Sequence, residues 1–427
     1  MRSAKPAAAW RQVFFCMRPR LPVQACLLAL LVPVTLAGEG APYAPGPEAA
    51  ENSKPVVPYR SAQLPEPRPT RSDREAAERA LEWLEEWPPE SDDRTGWWTG
   101  GAAGERWNTF LAAQAFLASG STLRKGKYRA PLKRAYRLLK QDSDGRTDGG
   151  CSNWGLAIQA ALLGDLLQSG APRRDRKDLL QRAEQYLAYI AEYQIERGGW
   201  GHHPFSPEEH EAEKTGAYPA DLLSVTNLMA HALLSLREAD VPVDTQILVR
   251  VVDCYSLAQN DNGGIAYSSR NTSAEEAGRT AATGYVLRRM LQDDALTELH
   301  GRAREILEGI QTYLHHRGHE VGHGHGNAAT IHLWLQALHA HASGPAAFAE
   351  YRAILFSEHL DEQAEDGSFS FREGSGLIDF TVARESGATS PALTALAAFV
   401  LQAPLKHAPS LRALLHQDPE PGEREDR

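Results

Sequence analysis

The sequence predicts an all-α protein whose six helical hairpins close into a two-layered ring, an (α/α)6 toroid. Three observations predict this fold. Apolar residues recur at the 3.6-residue spacing of amphipathic helices, as in AEQYLAYIAEYQ at 183–194 and LLSVTNLMAHALLSL at 222–236. Glycine-rich loops recur at a period of about fifty residues. Every second helix is rich in alanine and apolar on most sides, which is typical of an inner layer.

Residues 1–37 are predicted to be a secretory signal peptide. Basic residues precede an uncharged apolar run from Val23 to Ala37, and Thr35 and Ala37 are small enough for a signal peptidase. The run is too short to span a bilayer comfortably, and Met17 is an alternative start. Cleavage near Ala37 predicts a secreted or periplasmic protein with no membrane span in its mature form.

The rest of the chain divides into three parts. Residues 38–70 are rich in Pro, Glu and Ala and predict a disordered linker. The toroid follows at 71–405, and 406–427 is predicted to be a polar C-terminal tail. A net charge of −10 argues against nucleic-acid partners. After signal cleavage only Cys151 and Cys254 remain, and the sequence is compatible with one disulfide or with two thiols.

The loops that follow the first helix of each hairpin share a signature. The loop from Gln194 to Trp200 fits Q-x-x-x-G-x-W in full, and the loops that begin at Gln259 and Gln363 keep the Gln and the Gly. The fifth loop has HHRGHEVGHGHGN at 315–327 instead. The corresponding glycines lie 49, 53, 65, 55 and 49 residues apart, at Gly96, Gly145, Gly198, Gly263, Gly318 and Gly367.

Some of the second helices have recognisable start signals. Ser390 and Pro391 predict an N-cap followed by proline at the first helical position. Ser273 and Glu276 have the spacing of a capping box.

These loops at this period resemble the α/α toroids of the terpenoid cyclase and protein prenyltransferase superfamily, in particular the squalene-cyclase-like repeats. The resemblance covers about residues 72–403. It implies that the Gln and Trp brace successive hairpins around a central cavity that holds the active site. The D-x-D-D acid of class II cyclases does not occur in this chain, and Asp253 directly precedes Cys254 where prenyltransferases have Asp-x-Cys. The sequence is most similar to the exported bacterial toroids of this superfamily.

In such a ring the inner helices run parallel, so their N-terminal ends share one rim and favour anionic groups there. Arg279 is a candidate clamp for a carboxylate, phosphate or sulfate, or a partner of Glu275 one turn earlier. The candidate ligand-binding residues of the loops and first inner turns are Trp98, Trp107, Asn153, His202, His203, Asn271, Arg279, Asn327 and Arg384.

Four carboxylates on different hairpins are candidate catalytic residues: Asp221, Glu275, Asp379 and Glu385. If two of them converge across the ring, they have the chemistry of a general acid and a general base. The alternative is that they only cap helices, because Asp and Glu are favoured in a first helical turn.

Histidines concentrate in one part of the chain. Nine of the sixteen lie between His300 and His341. His323, His325 and Glu320 are candidate ligands of a divalent metal, and the alternative is a set of solvated or capping histidines. Any other cofactor is unidentified.

The leading hypothesis is an enzyme that uses carboxylate and histidine acid–base or metal-assisted chemistry on a small-molecule or oligomeric substrate in a polar central cavity. A non-catalytic toroid that binds a ligand or a protein is the first alternative. A divergent isoprenoid cyclase or transferase is the second, since one ring hosts many chemistries.

Overall fold

Outer and inner helices alternate along the chain. The computed structural model describes residues 70–87, 105–141, 153–202, 221–270, 275–317, 327–372, 391–403 and 405–415, all within one compact unit at 61–427. The outer helices are α1 (Arg71–Glu86), α3 (Arg129–Gln141), α5 (Arg173–Glu192), α7 (Thr245–Ala258), α9 (Thr297–Arg317) and α11 (Pro345–Ile354). The inner helices are α2 (Glu105–Ala118), α4 (Asn153–Gln168), α6 (Leu223–Glu238), α8 (Ala277–Met290), α10 (Asn327–Ser343) and α12 (Pro391–Leu401), and a short α13 (Arg412–Leu415) follows.

Burial separates the two layers as their composition predicts. All eleven residues of α12 are buried, and α8 is buried throughout except at Arg288. An outer helix buries only one stripe, which in α5 consists of Leu179, Ala183, Tyr186 and Ile190. Each large apolar side chain in such a stripe stabilises the fold by about 1.5–3 kcal/mol through its removal from water.

The inner helices form a closed ring. Each packs against the next, from α2 with α4 to α10 with α12, and α12 packs against α2. Between residues 70 and 415, the described ranges have β-type pairing only as two isolated bridges, Gln259 with Ile265 and Leu360 with Phe371. The predicted all-α fold of six hairpins in a ring is confirmed.

The glutamine of the Gln194 loop links its own hairpin to the next outer helix. Its Nε2 donates to the carbonyl of Gly198 at 2.8 Å and to that of Ile247, on α7, at 3.0 Å. The indole Nε1 of Trp200 donates to the carbonyl of Ile190 at 2.9 Å, which fixes the loop on α5. The loop therefore braces two neighbouring hairpins.

The other two described loops of this type make the same link. Nε2 of Gln259 donates to the carbonyl of Ile306 on α9 at 2.8 Å. Nε2 of Gln363 donates to the carbonyl of Ala76 on α1 at 2.9 Å. The last hairpin is thus tied to the first in the way that successive hairpins are tied to each other.

The C-terminal segment covers the end of the ring where the inner helices finish. The hydroxyl of Tyr285 donates to the buried carbonyl of Ser410 at 2.6 Å, and Nη1 of Arg412 donates to the carbonyl of Gln168, the last residue of α4, at 2.7 Å. The described residues 406–415 therefore pack on the ring, and the prediction that the polar tail starts at 406 is wrong. Leu405 and Leu411 are both buried. Their burial stabilises the packing of this segment on the ring, although many of the neighbouring residues in the sequence are polar.

The predicted signal peptide at 1–37 and the linker up to residue 69 lie outside the described residues. Thr70 is the N-cap of α1, whose first residue is Arg71, and its hydroxyl accepts from the N–H of Asp73 at 3.1 Å. Helix α12 begins at Pro391, as predicted. Among the helices of the described ranges, none has the length and apolarity that crossing a membrane requires.

Candidate functional site at the inner-helix rim

The N-terminal ends of the inner helices meet at one rim of the ring. The N–H of Asn153 donates to the carbonyl of His202 at 3.0 Å, and that of Leu223 donates to the carbonyl of Tyr267 at 3.1 Å. These bonds join the start of α4 to the loop before α6, and the start of α6 to the loop before α8. The partial positive charges of the helix N-termini therefore gather at this rim.

Two tryptophans and a histidine form a cluster at the rim, which we call the aromatic cluster. Trp107 and Trp154 lie in the first turns of α2 and α4, and their ring centroids are 5.1 Å apart with an interplanar angle of 52°. Both are half-buried, whereas His202 is exposed. Nε1 of Trp154 donates to Nδ1 of His202 at 2.9 Å. Because Nδ1 accepts, the proton of the neutral imidazole is on Nε2, and the cluster combines aromatic surface with an N–H donor.

Asn153 places His202 beside this cluster. Its side chain is buried, and Nδ2 donates to the carbonyl of Gly201 at 3.0 Å. Together with its own backbone bond to His202, this fixes the loop on the first turn of α4. A direct contact of Asn153 with a ligand stays a prediction.

Asp221 is a buried anchor between two hairpins. Its Oδ2 accepts from the N–H of Ser269 at 2.8 Å and its Oδ1 from the hydroxyl of Ser269 at 2.9 Å. The thiol of Cys254 is also buried and donates to Oδ2 at 3.3 Å, and burial raises its pKa well above the usual value, with Asp221 adding to the shift. Cys151 lies outside the described residues. These hydrogen bonds give Asp221 a structural role, which is to link two hairpins. Its catalytic role stays a prediction.

Asp221→Asn is expected to lower the free energy of unfolding by about 2 kcal/mol, because the amide cannot accept from all three donors. Urea unfolding measures the change, with the exposed Asp261→Asn as the matched control. Equal stability of the two variants would show that the bonds to Ser269 contribute nothing.

Glu275 is held by the preceding loop. Its carboxylate accepts from Nδ2 of Asn260 at 2.9 Å and from Nδ2 of Asn262 at 2.7 Å, and it pairs with Arg317 at 3.8 Å. Glu275 and Asp221 are thus each bound to residues of the loop between α7 and α8. Whether either acts as an acid or a base stays a prediction.

Arg279 has a different partner from the one predicted. Nη2 pairs with Oε2 of Glu276 at 2.8 Å, Nη1 donates to the carbonyl of Ile265 at 3.3 Å, and the guanidinium lies 5.4 Å from the ring centre of Tyr267. Pairing with Glu275 is therefore wrong. The capping box is wrong as well, because Glu276 is itself the N-cap of α8 and makes no side-chain cap. Anion binding by Arg279 stays a prediction.

Several predicted site residues lie outside the described residues: Trp98, His203, Asn271, Asp379, Arg384 and Glu385, and the proposed metal ligands Glu320, His323 and His325. Asn327 is the first residue of α10, and ligand binding by its side chain stays a prediction. In the ranges that are described, no group of three or more His, Cys, Asp or Glu side chains is arranged to hold a metal ion.

The sequence analysis missed a polar network inside the ring, centred on Asp165 of α4. Its Oδ2 accepts from Nε2 of Gln114 at 2.6 Å. Burial raises the pKa of Asp165 to about 7, with Gln114 and Arg289 opposing the shift. The available signal was a single carboxylate at 155–167, a helical segment that is otherwise uncharged and mostly apolar.

Arg289 of α8 is the positive centre of this network. Its buried guanidinium donates to Glu238 from Nε at 3.0 Å and pairs with it through Nη2 at 2.7 Å. Nη1 lies 2.7 Å from Nδ1 of His231, and burial followed by the charge of Arg289 lowers the pKa of that histidine well below its usual value. His231 is therefore neutral and accepts from the guanidinium.

Trp334 of α10 crosses the bore of the ring below the rim. Its ring centroid is 5.1 Å from those of Phe110 on α2 and His231 on α6, and 6.2 Å from that of Phe399 on α12. All four side chains are fully buried. Because α2 and α6 are not ring neighbours of α10, aromatic side chains occupy the middle of the bore.

No protein-family model matches the sequence, and no curated protein matches it either. Three solved structures are similar in fold. Cellobiose 2-epimerase from Bacillus thermoamylovorans is 14% identical with a TM-score of 0.54, over 78% of this chain and 98% of that chain. A GH76 α-mannanase from Bacteroides thetaiotaomicron is 11% identical with a TM-score of 0.52, over 80% and 97% of the two chains. A family 76 glycoside hydrolase from a bovine strain of the same species is 11% identical with a TM-score of 0.50, over 81% and 78%. At these identities the likeness concerns the fold alone, and the chain has the α/α toroid fold of these enzymes.

Proposed function

We propose that this toroid binds a saccharide at the inner-helix rim and acts on it by acid–base chemistry. The observation that carries the proposal is the aromatic cluster. A pyranose ring has apolar C–H faces and polar hydroxyl edges, which match half-exposed indoles beside a fixed N–H donor. The toroids of similar fold include a cellobiose epimerase and an α-mannanase, which supports this substrate class.

The acid–base part of the proposal depends on the carboxylates of different hairpins. Because Asp221 and Glu275 are bound to the loop before α8, Asp379 and Glu385 are the preferred candidates for the general acid and base. Metal-assisted chemistry through Glu320, His323 and His325 is the other proposed route. We also propose that the signal at 1–37 exports the protein, so that it meets its substrate in the periplasm or outside the cell.

Trp107→Ala and Trp154→Ala are each expected to weaken saccharide binding about tenfold, because each removes a stacking surface. The measurement is calorimetric titration with cellobiose and with α-linked manno-oligosaccharides. Tyr193→Ala is the matched control, since Tyr193, the C-cap of outer helix α5, stacks on Tyr189 and neither ring belongs to the aromatic cluster. Wild-type protein that binds neither sugar, or a loss as large in the control, would contradict the proposal.

Turnover is tested separately, by following the same sugars with the full chain by proton NMR. New anomeric signals indicate hydrolysis, and a changed C2 configuration indicates epimerisation. Binding without either product would favour the first alternative, a non-catalytic ligand-binding toroid.

The resemblance to terpenoid cyclases supports a second candidate, a divergent isoprenoid cyclase or transferase. The bracing by Gln194, Gln259 and Gln363 is what that resemblance implies. Isoprenoid chemistry needs a dry aromatic cavity, however, and the side chains around Trp334 occupy the middle of the bore. Turnover of geranylgeranyl diphosphate, with no saccharide binding, would favour this candidate.

A further inference from the structure

A stripe of basic side chains runs along the outer helix α3 and the turn before it. Eight of the seventeen residues from 124 to 140 are Lys or Arg and none is Asp or Glu, although the whole chain has a net charge of −10. None of the eight is buried. We call them the basic stripe, and its members are Arg124, Lys125, Lys127, Arg129, Lys133, Arg134, Arg137 and Lys140. A surface with charges of one sign attracts partners of the other sign.

Acidic residues of the neighbouring outer helices pair with the stripe near its two ends. Lys127 pairs with Glu78 and, at 2.8 Å, with Glu82, both on α1. Lys140, in the last turn of α3, pairs with Asp178 of α5 at 2.6 Å. The stripe therefore lies on the outer wall of the ring between α1 and α5.

The positive charge between these pairs is not compensated by the rest of the described chain. Lys133 and Arg137 form no ion pair with a described residue. Arg129 donates from Nε to the carbonyl of Leu123 at 3.1 Å, and a carbonyl does not neutralise a guanidinium. Positive charge is thus in excess along the middle of α3, where it attracts an anionic partner.

Solvation of an outer helix does not explain why these charges have one sign. Other outer helices carry both signs: α1 has three basic and six acidic residues, and α5 has five and four. Arg129, Lys133 and Arg137 follow each other four residues apart, so they are neighbours on one face of α3. Like charges at this spacing destabilise a helix. The fold itself therefore does not favour this arrangement, whereas an anionic ligand relieves the repulsion.

The stripe ends in the sector of the rim that holds the aromatic cluster. Helices α2 and α3 form a hairpin, have 14 and 13 residues and pack against each other. Each is about 20 Å long, so the end of α3 is level with the start of α2, which lies at the rim. Trp107 and Trp154 lie in the first turns of α2 and α4, the inner helices before and after α3 in the chain. A polymer that stacks on these indoles can therefore continue along the stripe on the outer wall.

We propose that the saccharide bound by this toroid is an anionic polysaccharide, whose end stacks on the aromatic cluster and whose acidic groups pair with the basic stripe. This inference rests on the function proposed above and names its substrate class. Carboxylate, sulfate and phosphate groups all suit Lys and Arg. A flexible chain fits better than a flat anionic membrane, because a membrane on this wall would also face the acidic residues of α1.

The test is calorimetric titration of the full chain with two matched pairs of saccharides. Hexagalacturonate is compared with its methyl ester, and a sulfated dextran with dextran, so that charge is the difference within each pair. We expect at least one anionic form to bind about tenfold more tightly than its neutral form at low salt. This preference should shrink between about 0.01 and about 0.5 M salt, because salt screens exposed charges.

The double variant Lys133→Gln/Arg137→Gln is expected to lower the preference for the anionic form about tenfold. Arg74→Gln/Arg304→Gln is the matched control, since it removes two exposed basic residues on α1 and α9 and changes the net charge equally. Glutamine is a good helix former, so both double variants should fold. Trp154→Ala should weaken binding of the anionic and the neutral form alike, because stacking on the indole does not depend on charge.

Three results would each overturn this inference: no preference for either anionic form, an equal loss of preference in the control double variant, or unchanged binding of the anionic form in Trp154→Ala. A single-stranded oligonucleotide that binds as tightly, and depends equally on Lys133 and Arg137, would overturn it as well. Binding of neutral sugars without any preference for the anionic forms would remove this inference alone and leave the proposed function in place. Failure of every saccharide to bind would remove both.

Discussion

Gly198→Ala is expected to lower the free energy of unfolding by at least about 3 kcal/mol, against about 1 kcal/mol for Gly170→Ala. Both glycines have positive φ, +92° and +83° respectively, so alanine is strained at either position. Only Gly198 also lies against a neighbouring helix: a Cβ there would be 1.8 Å from the carbonyl oxygen of Arg250 on α7, whereas nothing lies within 4 Å of a Cβ at Gly170. The difference between the two variants therefore measures the close packing of loop and helix.

Urea unfolding followed by circular dichroism gives both values. The same clash is expected at the other described loops of this type, where a Cβ at Gly263 would lie 2.0 Å from the carbonyl oxygen of Gly309 and one at Gly367 would lie 2.5 Å from that of Arg79. If Gly198→Ala and Gly170→Ala destabilise the protein equally, the loops do not pack against the next hairpin as described.

These glycines also explain why the fold could be predicted from the sequence. A bracing loop needs a glycine where its backbone touches the next outer helix. It also needs a glutamine four residues earlier, whose side chain donates to a backbone carbonyl of that helix. Gln194, Gln259 and Gln363 all have this spacing. Because the constraint is local and repeated, it is visible without knowledge of the contacts.

Interactions between distant residues could not be predicted in this way. Arg279 was within reach of either Glu275 or Glu276 on one helix turn, and only the position of the helix start decides between them. The packing of residues 406–415 depends on Tyr285, more than a hundred residues earlier. Polar composition alone predicted a solvated tail.

The candidate site was predictable only in its location. The first inner turns were expected at one rim, and Trp107, Asn153 and His202 do lie there together. Their mutual contacts depend on two neighbouring hairpins, and no spacing in the sequence encodes that. Asp221 illustrates the same limit, since its partner Ser269 lies on another hairpin.

Asp165→Asn is expected to stabilise the protein above neutral pH, by an amount approaching about 4 kcal/mol. The folded-state pKa of Asp165 is raised from 3.8 to about 7, chiefly by burial. The folded protein therefore retains a proton that the unfolded chain releases near pH 4. The contribution of the protonated carboxyl to the free energy of unfolding, relative to a non-titrating amide, is therefore complete below about pH 4. It is lost as the pH rises through about 7. The amide of asparagine is isosteric, can still pair with Gln114 and has no charge to bury.

The measurement is the free energy of unfolding of wild type and Asp165→Asn in urea, from about pH 4 to about pH 8. The advantage of the variant should grow with pH and then level off. Asp178→Asn is a control of opposite sign: its bond to Lys140, at 2.6 Å, lowers the pKa of Asp178, so the wild-type carboxylate stabilises the fold above its unfolded pKa and loses that effect as the pH falls. A pH-independent difference between wild type and Asp165→Asn would show that Asp165 is ionised in the folded ring. In that case the charge of Arg289, and not burial, sets the protonation of the network.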